Sequence, residues 1–394
     1  MVEPLSLNPM QASPPRPGRN VHLDAMRGLA AVSVVCTHIR QTFFVPYHQA
    51  GSGLLVKFLY IDHYLVRAAV IFFFVLSGYL VGMSVLNAIA QGRWSWREYL
   101  LNRLSRLYVV LIPALLLTAV FDWIGRINPV SRWAYFNDLS EAGFATAHFD
   151  SFRDFFGSLF FLQNIHTGWF GSNSPLWSLS CEFWYYVVFP FLALTLVRRS
   201  GWLFCLLLLA GTGWFLGSQV TALFLCWLAG VAIGLLARKR LLNSPISRRL
   251  IGGAAIMALL LAVVASGAHR LNGYAADYVI TLIAMALIWV ALSSAPAGRP
   301  YALLAVLLSE MSYTLYLTHL PFLLLMQRLC FRERLWPADL VHLCLALLPL
   351  VAAIFFAYGN YLLFESHTND VRWWLKRRLE KLESHAGAGV TGGL

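Results

Sequence analysis

Val66-Arg-Ala-Ala-Val-Ile-Phe-Phe-Phe-Val-Leu-Ser-Gly-Tyr-Leu-Val-Gly-Met-Ser-Val-Leu86 carries a single charge, Arg67, near its first residue. A helix rises about 1.5 Å per residue, so a run of this length crosses the roughly 30 Å of hydrocarbon in a bilayer. Leu176 to Val197 and Leu340 to Leu363 are runs of the same kind. Across all 394 residues, 59% are hydrophobic and 12% charged, whereas soluble domains hold about 45–50% and about 25% respectively. A water-soluble globule is excluded. The chain reads as an all-α polytopic membrane protein.

Working outward from that run, hydropathy gives ten spans, near 24–42, 66–89, 105–123, 176–197, 201–217, 220–237, 250–267, 277–294, 303–327 and 340–364. An even number puts both termini on one face. Nineteen of the 30 Lys and Arg fall on that face and ten on the other, with Arg27 inside the first span. The positive-inside rule therefore predicts that both termini are cytoplasmic, and the net charge of +12 reports topology before any nucleic-acid role. The organisation is a polar, proline-rich tail over 1–20, a membrane domain over 21–366 and a basic tail over 367–394. In that last tail, Arg372 to Lys381 with Trp373 and Trp374 reads as an amphipathic anchor on the inner leaflet. The segment 124–175 is too long for a simple connector and is expected to cover the outer face as a lid. Its Trp133, Tyr135, Trp169 and Phe170 suit stacking on sugar rings and interfacial anchoring equally.

The first span contains Asp24 and Arg27 and is followed by no small-residue cleavage site, so it reads as a retained span rather than a signal peptide. The six cysteines form no C-x-x-C pair, and His48, His63 and His166 lack ligand spacing, so neither a disulfide framework nor a metal site is expected.

Charges inside spans are costly and mark candidate sites, which here are Asp24, Arg27, His38, Glu182, Glu310 and His319. Arg27 and His38 stand eleven residues apart. At about 100° per residue they fall within roughly 20° of one face and about 16 Å apart along the axis, and so are expected along one wall of one cavity. Arg103 and Arg106 stand one turn apart at the start of span three, a spacing at which two guanidiniums can grip one phosphate group. No glycine-rich cradle accompanies them, and a basic loop beside Trp94 and Trp96 also serves topology alone. Glu182, about two turns into span four, needs a cationic or hydrogen-bonding partner. His38 lies at similar depth, and the two are expected to act as a base and its orienter. Ser77 and Gly78 read either as small-residue helix packing or as a nucleophilic site, with no G-x-S-x-G elbow around the serine.

Leu23-Asp-Ala-Met-Arg-Gly-Leu-Ala-Ala-Val-Ser-Val-Val-Cys-Thr-His38 resembles the R-x10-H first-helix motif of the acyltransferase 3 family of membrane proteins. Phe74-Val-Leu-Ser-Gly78 is similar to that family's F-x-x-S-G segment, and Arg103-Leu-Ser-Arg106 to its R-x-x-R. Trp177-Ser-Leu-Ser-Cys-Glu182 matches W-S-L-x-x-E, and Ser312-Tyr-Thr-Leu-Tyr-Leu-Thr-His319 matches S-Y-x-x-Y-L-x-H. Two departures stand out. The proline usual after the second arginine is displaced to Pro113, and the last span ends Phe364-Glu-Ser-His where relatives often carry E-x-P.

The resemblance implies an O-acyltransferase of the bacterial inner membrane. Such an enzyme moves an acyl group, commonly acetyl, from cytoplasmic acetyl-CoA to a hydroxyl of a carbohydrate or related acceptor. It implies catalytic roles for His38, as general base, and Glu182, and acyl-CoA phosphate binding by Arg27, Arg103 and Arg106. Asp24, Ser77, Gly78, Trp177, Ser178, Tyr313 and His319 would support them. Acyl-CoA is a co-substrate; no permanently bound cofactor and no metal is expected. The expected partners are the lipid bilayer, acyl-CoA and the hydroxyl acceptor, without nucleic acid, and a homo-oligomer is compatible with the sequence. The stretch after Phe364 is too short for an extracytoplasmic domain, so transfer is expected to be finished by the membrane domain or by a separate partner. A transporter using the intramembrane Arg, His and Glu as substrate or proton sites is the alternative, though no inverted repeat accompanies it.

Overall fold

The computed structural model describes residues 19–60, 62–127, 151–197, 202–238, 244–267, 270–271, 273–295, 298–331 and 334–391. The N-terminal tail to residue 18, part of the expected lid (128–150, with Trp133 and Tyr135) and Arg198, Arg199, Lys239, Arg240 and Arg332 lie outside the described residues.

Helix α1 (Val21–Phe43) begins at Asn20, whose side-chain oxygen accepts from the backbone N–H groups of His22 and Leu23 and so satisfies two orphan donors. A short α2 (Leu54–Tyr60) leads into the second span. That span runs through α3 (Asp62–Ser77), one π-helical turn (Gly78–Gly82) and α4 (Met83–Ala90). Next come α5 (Trp96–Ile127), the small α6 (Phe152–Leu159), α7 (Leu176–Val197) and α8 (Trp202–Ala237). They are followed by α9 (Pro245–Gly267), α10 (Gly273–Ser293), α11 (Arg299–Glu310) and α12 (Ser312–Phe331). The chain closes with α13 (Leu340–Leu345), α14 (Leu347–Leu363) and α15 (Thr368–Thr391).

Helix α8 is two antiparallel arms. Gly217 adopts φ 77°, ψ 172°, a conformation open to glycine. A Cβ on Gly213 would lie 3.8 Å from Thr221 Oγ1, whereas eight residues of straight helix would separate the two by about 12 Å. The chain therefore reverses at Gly217, as the adjoining sequence spans 201–217 and 220–237 require. Helices α11 and α12 form one span bent by 58°. Seven helices are long and apolar enough to cross a membrane, and the bent pair is an eighth span. The two arms of α8 and the 23-residue α1 give the remaining sequence spans a helix each among the described residues.

Both described ends meet on one face. Arg19 reaches Glu310 at 2.8 Å, and Glu310 accepts from the Tyr361 hydroxyl at 3.1 Å. Helix α15 lies along the start of α5 through Lys376–Glu98 (2.8 Å) and Arg97–Glu383 (3.0 Å). Within the bundle, α3 and α10 are joined by Arg67, whose guanidinium forks onto the fully buried Asp277 at 2.7 and 2.6 Å. Gly78 of the π turn and Gly230 of α8 allow backbone-to-backbone approach, since a Cβ at either would fall within 2.0 Å of a carbonyl oxygen across the interface.

The described part of the outer segment does not lie over the outer end as a lid. Helix α6 and residues 160–175 dip into the bundle. Tyr108, about 18 Å along α5 from Trp96, donates to the Leu159 carbonyl at 3.0 Å. Trp184 Nε1 donates to the Phe161 carbonyl at 2.9 Å, and the Phe161 ring stacks on Phe183. Irregular backbone is tolerated at membrane depth where the protein itself satisfies its polar groups. Asp122 does this for Ser172, accepting from its N–H at 2.8 Å and its hydroxyl at 2.6 Å. Asn173 Nδ2 donates at 2.8 Å to the Leu317 carbonyl, which Pro321, lacking an N–H, cannot serve.

Candidate active site

A cavity of about 160 Å³ lies between α1, α3, α5, α7 and α12, toward the face where the chain ends meet. Arg103 and Arg106 line it together, as their one-turn spacing requires. The Arg103 guanidinium sits 5.7 Å from the ring centres of both Tyr99 and Tyr186, and its Nε is buried without a hydrogen-bond partner. Arg106 is exposed and has neither hydrogen bond nor ion pair among the described residues. Arg27 enters from α1, with Nη1 3.4 Å from Ser309 Oγ. That hydroxyl donates to Asp24 at 2.9 Å, and Asp24 also accepts from Arg19 Nε at 2.6 Å. Asp24 thus ties the start of α1 to the end of α11 beneath the cavity.

Glu182 lines the same cavity and accepts from Ser77 Oγ at 2.8 Å and from the Tyr186 hydroxyl. Trp227 Nε1 donates to Ser77 Oγ at 3.2 Å. Gly78 is a packing position against the Trp227 backbone, whereas Ser77 faces the cavity. Ser178 Oγ and the Tyr316 hydroxyl lie 2.8 Å apart in the wall, and Tyr313 donates to the Leu107 carbonyl at 3.3 Å. Trp177 is elsewhere, edge-on to Phe74 and under Arg67.

Two expectations about His38 are corrected. It shares α1 with Arg27 but does not line this cavity, and Glu182 is not its partner. The bend between α11 and α12 carries His319 across α1, and the two buried rings meet with His319 Nε2 2.9 Å from His38 Nδ1. His319 Nδ1 lies 2.8 Å from the Leu315 carbonyl. A carbonyl oxygen only accepts, so His319 Nδ1 carries the hydrogen; with both rings neutral, His319 Nε2 accepts from His38 Nδ1–H. The proton-accepting lone pair of His38 is then on Nε2. Tyr316 links the two regions, lining the cavity while its ring centre lies 6.2 Å from that of His319.

Sequence reasoning passed over Tyr186, Tyr316, Ser309 and Trp227, because tyrosine, serine and tryptophan carry no charge to mark them within an apolar span. A helical signal existed for two of them, since Tyr186 is one turn from Glu182 and Tyr316 one turn from His319. Glu365, within the departing Phe364-Glu-Ser-His stretch, accepts from the backbone N–H of Thr314 at 3.2 Å and its hydroxyl at 2.5 Å. This glutamate ties the end of α14 to the start of α12.

Among curated proteins, the O-acetyl transferase of Shigella phage Sf6 is 28% identical over 172 residues, 42% of this chain and 43% of that protein. The chain thus spans less than half the length of that relative. No solved structure matches. The acyltransferase domain model of the acyltransferase 3 type matches residues 20–365, from the cap of α1 to the end of α14, and this includes every residue lining the cavity. The protein belongs to the acyltransferase 3 family.

Proposed function

We propose that the protein is a membrane O-acyltransferase. It takes an acyl group, in the simplest case acetyl, from acyl-CoA at the cytoplasmic face of a bacterial inner membrane and passes it to a hydroxyl of a carbohydrate or similar acceptor. One observation carries this reading. Three guanidiniums, Arg27, Arg103 and Arg106, line a cavity with no carboxylate among the described residues at ion-pair distance from any of them, below a buried pair of imidazoles. The excess of basic residues on the cavity's face supports a cytoplasmic side for it, where acyl-CoA is available. Guanidinium forks suit its phosphates. About 16 Å along α1 from Arg27 to His38 suits an extended pantetheine arm, which would pass Tyr316 on the way.

At the far end, His38 Nε2 takes the proton of the acceptor hydroxyl as its oxygen attacks the thioester carbonyl. The new C–O bond forms, the C–S bond breaks, and the CoA sulfur leaves with the proton returned by the imidazolium. His319 accepts from His38 Nδ1–H in this scheme and keeps Nε2 as the basic nitrogen. Glu182 acts at a distance from the chemistry. It holds Ser77 and Tyr186, and the Tyr186 ring lies beside Arg103. We therefore give it a positioning role in the donor site.

The test is binding and turnover of acetyl-CoA by the purified protein. Wild type should release CoA thiol, His38→Ala should bind the donor without turnover, and the Arg103→Ala/Arg106→Ala double variant should fail to bind. A His38→Ala protein that transfers at the wild-type rate refutes the base assignment. A wild type that neither binds nor consumes acyl-CoA refutes the donor and turns attention to transport.

A further inference from the structure

Several cations on the basic face are paired with carboxylates. Arg19 pairs with Asp24 and Glu310, Arg97 with Glu383, and Lys376 with Glu98. Among the described residues, Arg103, Arg106 and Arg372 of α15 have no such carboxylate partner. Arg372 lies beyond the family match, which ends at residue 365. It is half-buried against α5, with Nε 3.4 Å from the hydroxyl of Ser105. Ser105 stands between the two cavity arginines in sequence, and the charges of Arg103 and Arg106 act directly on the Arg372 guanidinium.

Like charges held this close repel. Glu182 and Glu365 add negative charge nearby but stand beyond ion-pair distance. Such a cluster is stabilised by a polyanion, and a phosphate monoester brings about −1.5 to −2 charges at pH 7. The next two arginines of α15 are engaged otherwise. Arg377 lies 3.5 Å over the Trp373 ring and Arg378 5.5 Å over Trp374, and both indoles are exposed. That side of α15 suits the membrane interface, while Arg372 is turned to Ser105 of α5.

The arginines form a sequence outward from the imidazole pair. Arg27, Arg103 and Arg106 are in the cavity wall, and Arg372 is outside it. Acyl-CoA has the same order, with the thioester first, then the diphosphate, then the 3′-phosphate on the ribose. We propose that Arg372 completes the donor site and holds the 3′-phosphate of acyl-CoA, making α15 a part of substrate recognition as well as an anchor. This rests on the acyl-CoA reading given above.

The experiment uses the full-length protein in nanodiscs with acetyl-CoA and 3′-dephospho-acetyl-CoA as probes. It compares wild type, Arg372→Ala, Arg372→Lys and the control Arg377→Ala, with and without anionic lipid. Wild type should bind acetyl-CoA about tenfold more tightly than the dephospho form, the worth of one charge-assisted contact. Arg372→Ala should lose that preference, its affinity for acetyl-CoA falling about tenfold and its affinity for the dephospho form staying as in wild type. Arg372→Lys should recover part of it, and Arg377→Ala should keep it whole. An equal loss for both donors in Arg372→Ala, or no loss for either, overturns the inference. So does an effect that appears only with anionic lipid, which would make the bound phosphate that of a headgroup. A wild type that binds neither donor defeats the acyl-CoA reading itself, whereas one that binds both equally defeats only the role of Arg372.

Discussion

Replacing His319 tests the proposed catalytic arrangement most directly, because its ring touches His38 and lines no part of the donor cavity. In His319→Leu, His38 loses the hydrogen bond to the facing ring inside a buried site and keeps the one to the Val34 backbone. The net worth of one such hydrogen bond is about 0.5–1.5 kcal/mol. The ring can relieve that cost by turning or by moving its proton to Nε2, and either change removes the basic lone pair from the reacting position. If the whole cost falls on the transition state, kcat drops by about 2- to 12-fold. Gln at 319 offers a carbonyl oxygen near the position of Nε2, so His319→Gln should recover most of the loss. Release of CoA thiol, measured over a range of acetyl-CoA concentrations, separates kcat from the donor KM. The expected pattern is a fall in kcat in His319→Leu, an unchanged donor KM, and rescue by Gln. A folded His319→Leu protein with kcat within twofold of wild type would falsify the tautomer argument, and a Gln variant as impaired as Leu would do the same.

Glu182→Gln keeps an acceptor for Ser77 and Tyr186 and removes one negative charge from the arginine-lined cavity. Donor KM should fall by about three- to tenfold on electrostatic grounds, with kcat little changed; a collapse of kcat at constant KM would instead return Glu182 to the chemistry at His38. Gly78→Ala puts a methyl 1.8 Å from the Trp227 carbonyl oxygen and 2.8 Å from its carbon, which only backbone movement can relieve. It should cost more than about 3 kcal/mol and abolish the sharp thermal unfolding transition in detergent. Gly253→Ala in α9, where no atom lies within 4 Å of the new methyl, should leave that transition in place. A Gly78→Ala protein with wild-type melting would show that α3 and α8 do not approach as described.

The all-α membrane class was legible from Val66 to Leu86 and its companion runs because hydrocarbon leaves a spanning segment few alternatives to helix. Arg103 with Arg106 was legible because a helix places residues three apart on one face, whatever packs against it. The pairing of His38 was not. Span counting put Glu182 at similar depth, but depth along a helix does not say which neighbour faces a given side chain. That was decided by the bend between α11 and α12, which brings His319 to α1 from 281 residues away. The outer segment shows the same limit, since its length suggested a covering lid while Tyr108, Asp122 and Trp184 draw its described part into the bundle.

By itself, then, the sequence determined the membrane environment, the helical spans and the charged residues carried within them, because these follow from local composition and helical period. Only the tertiary structure decided the partners: His319 for His38, Ser77 and Tyr186 for Glu182, and α15 for the start of α5. Such partners meet through the crossing of helices distant in sequence, and helix crossing depends on shape complementarity between whole faces rather than on any single motif.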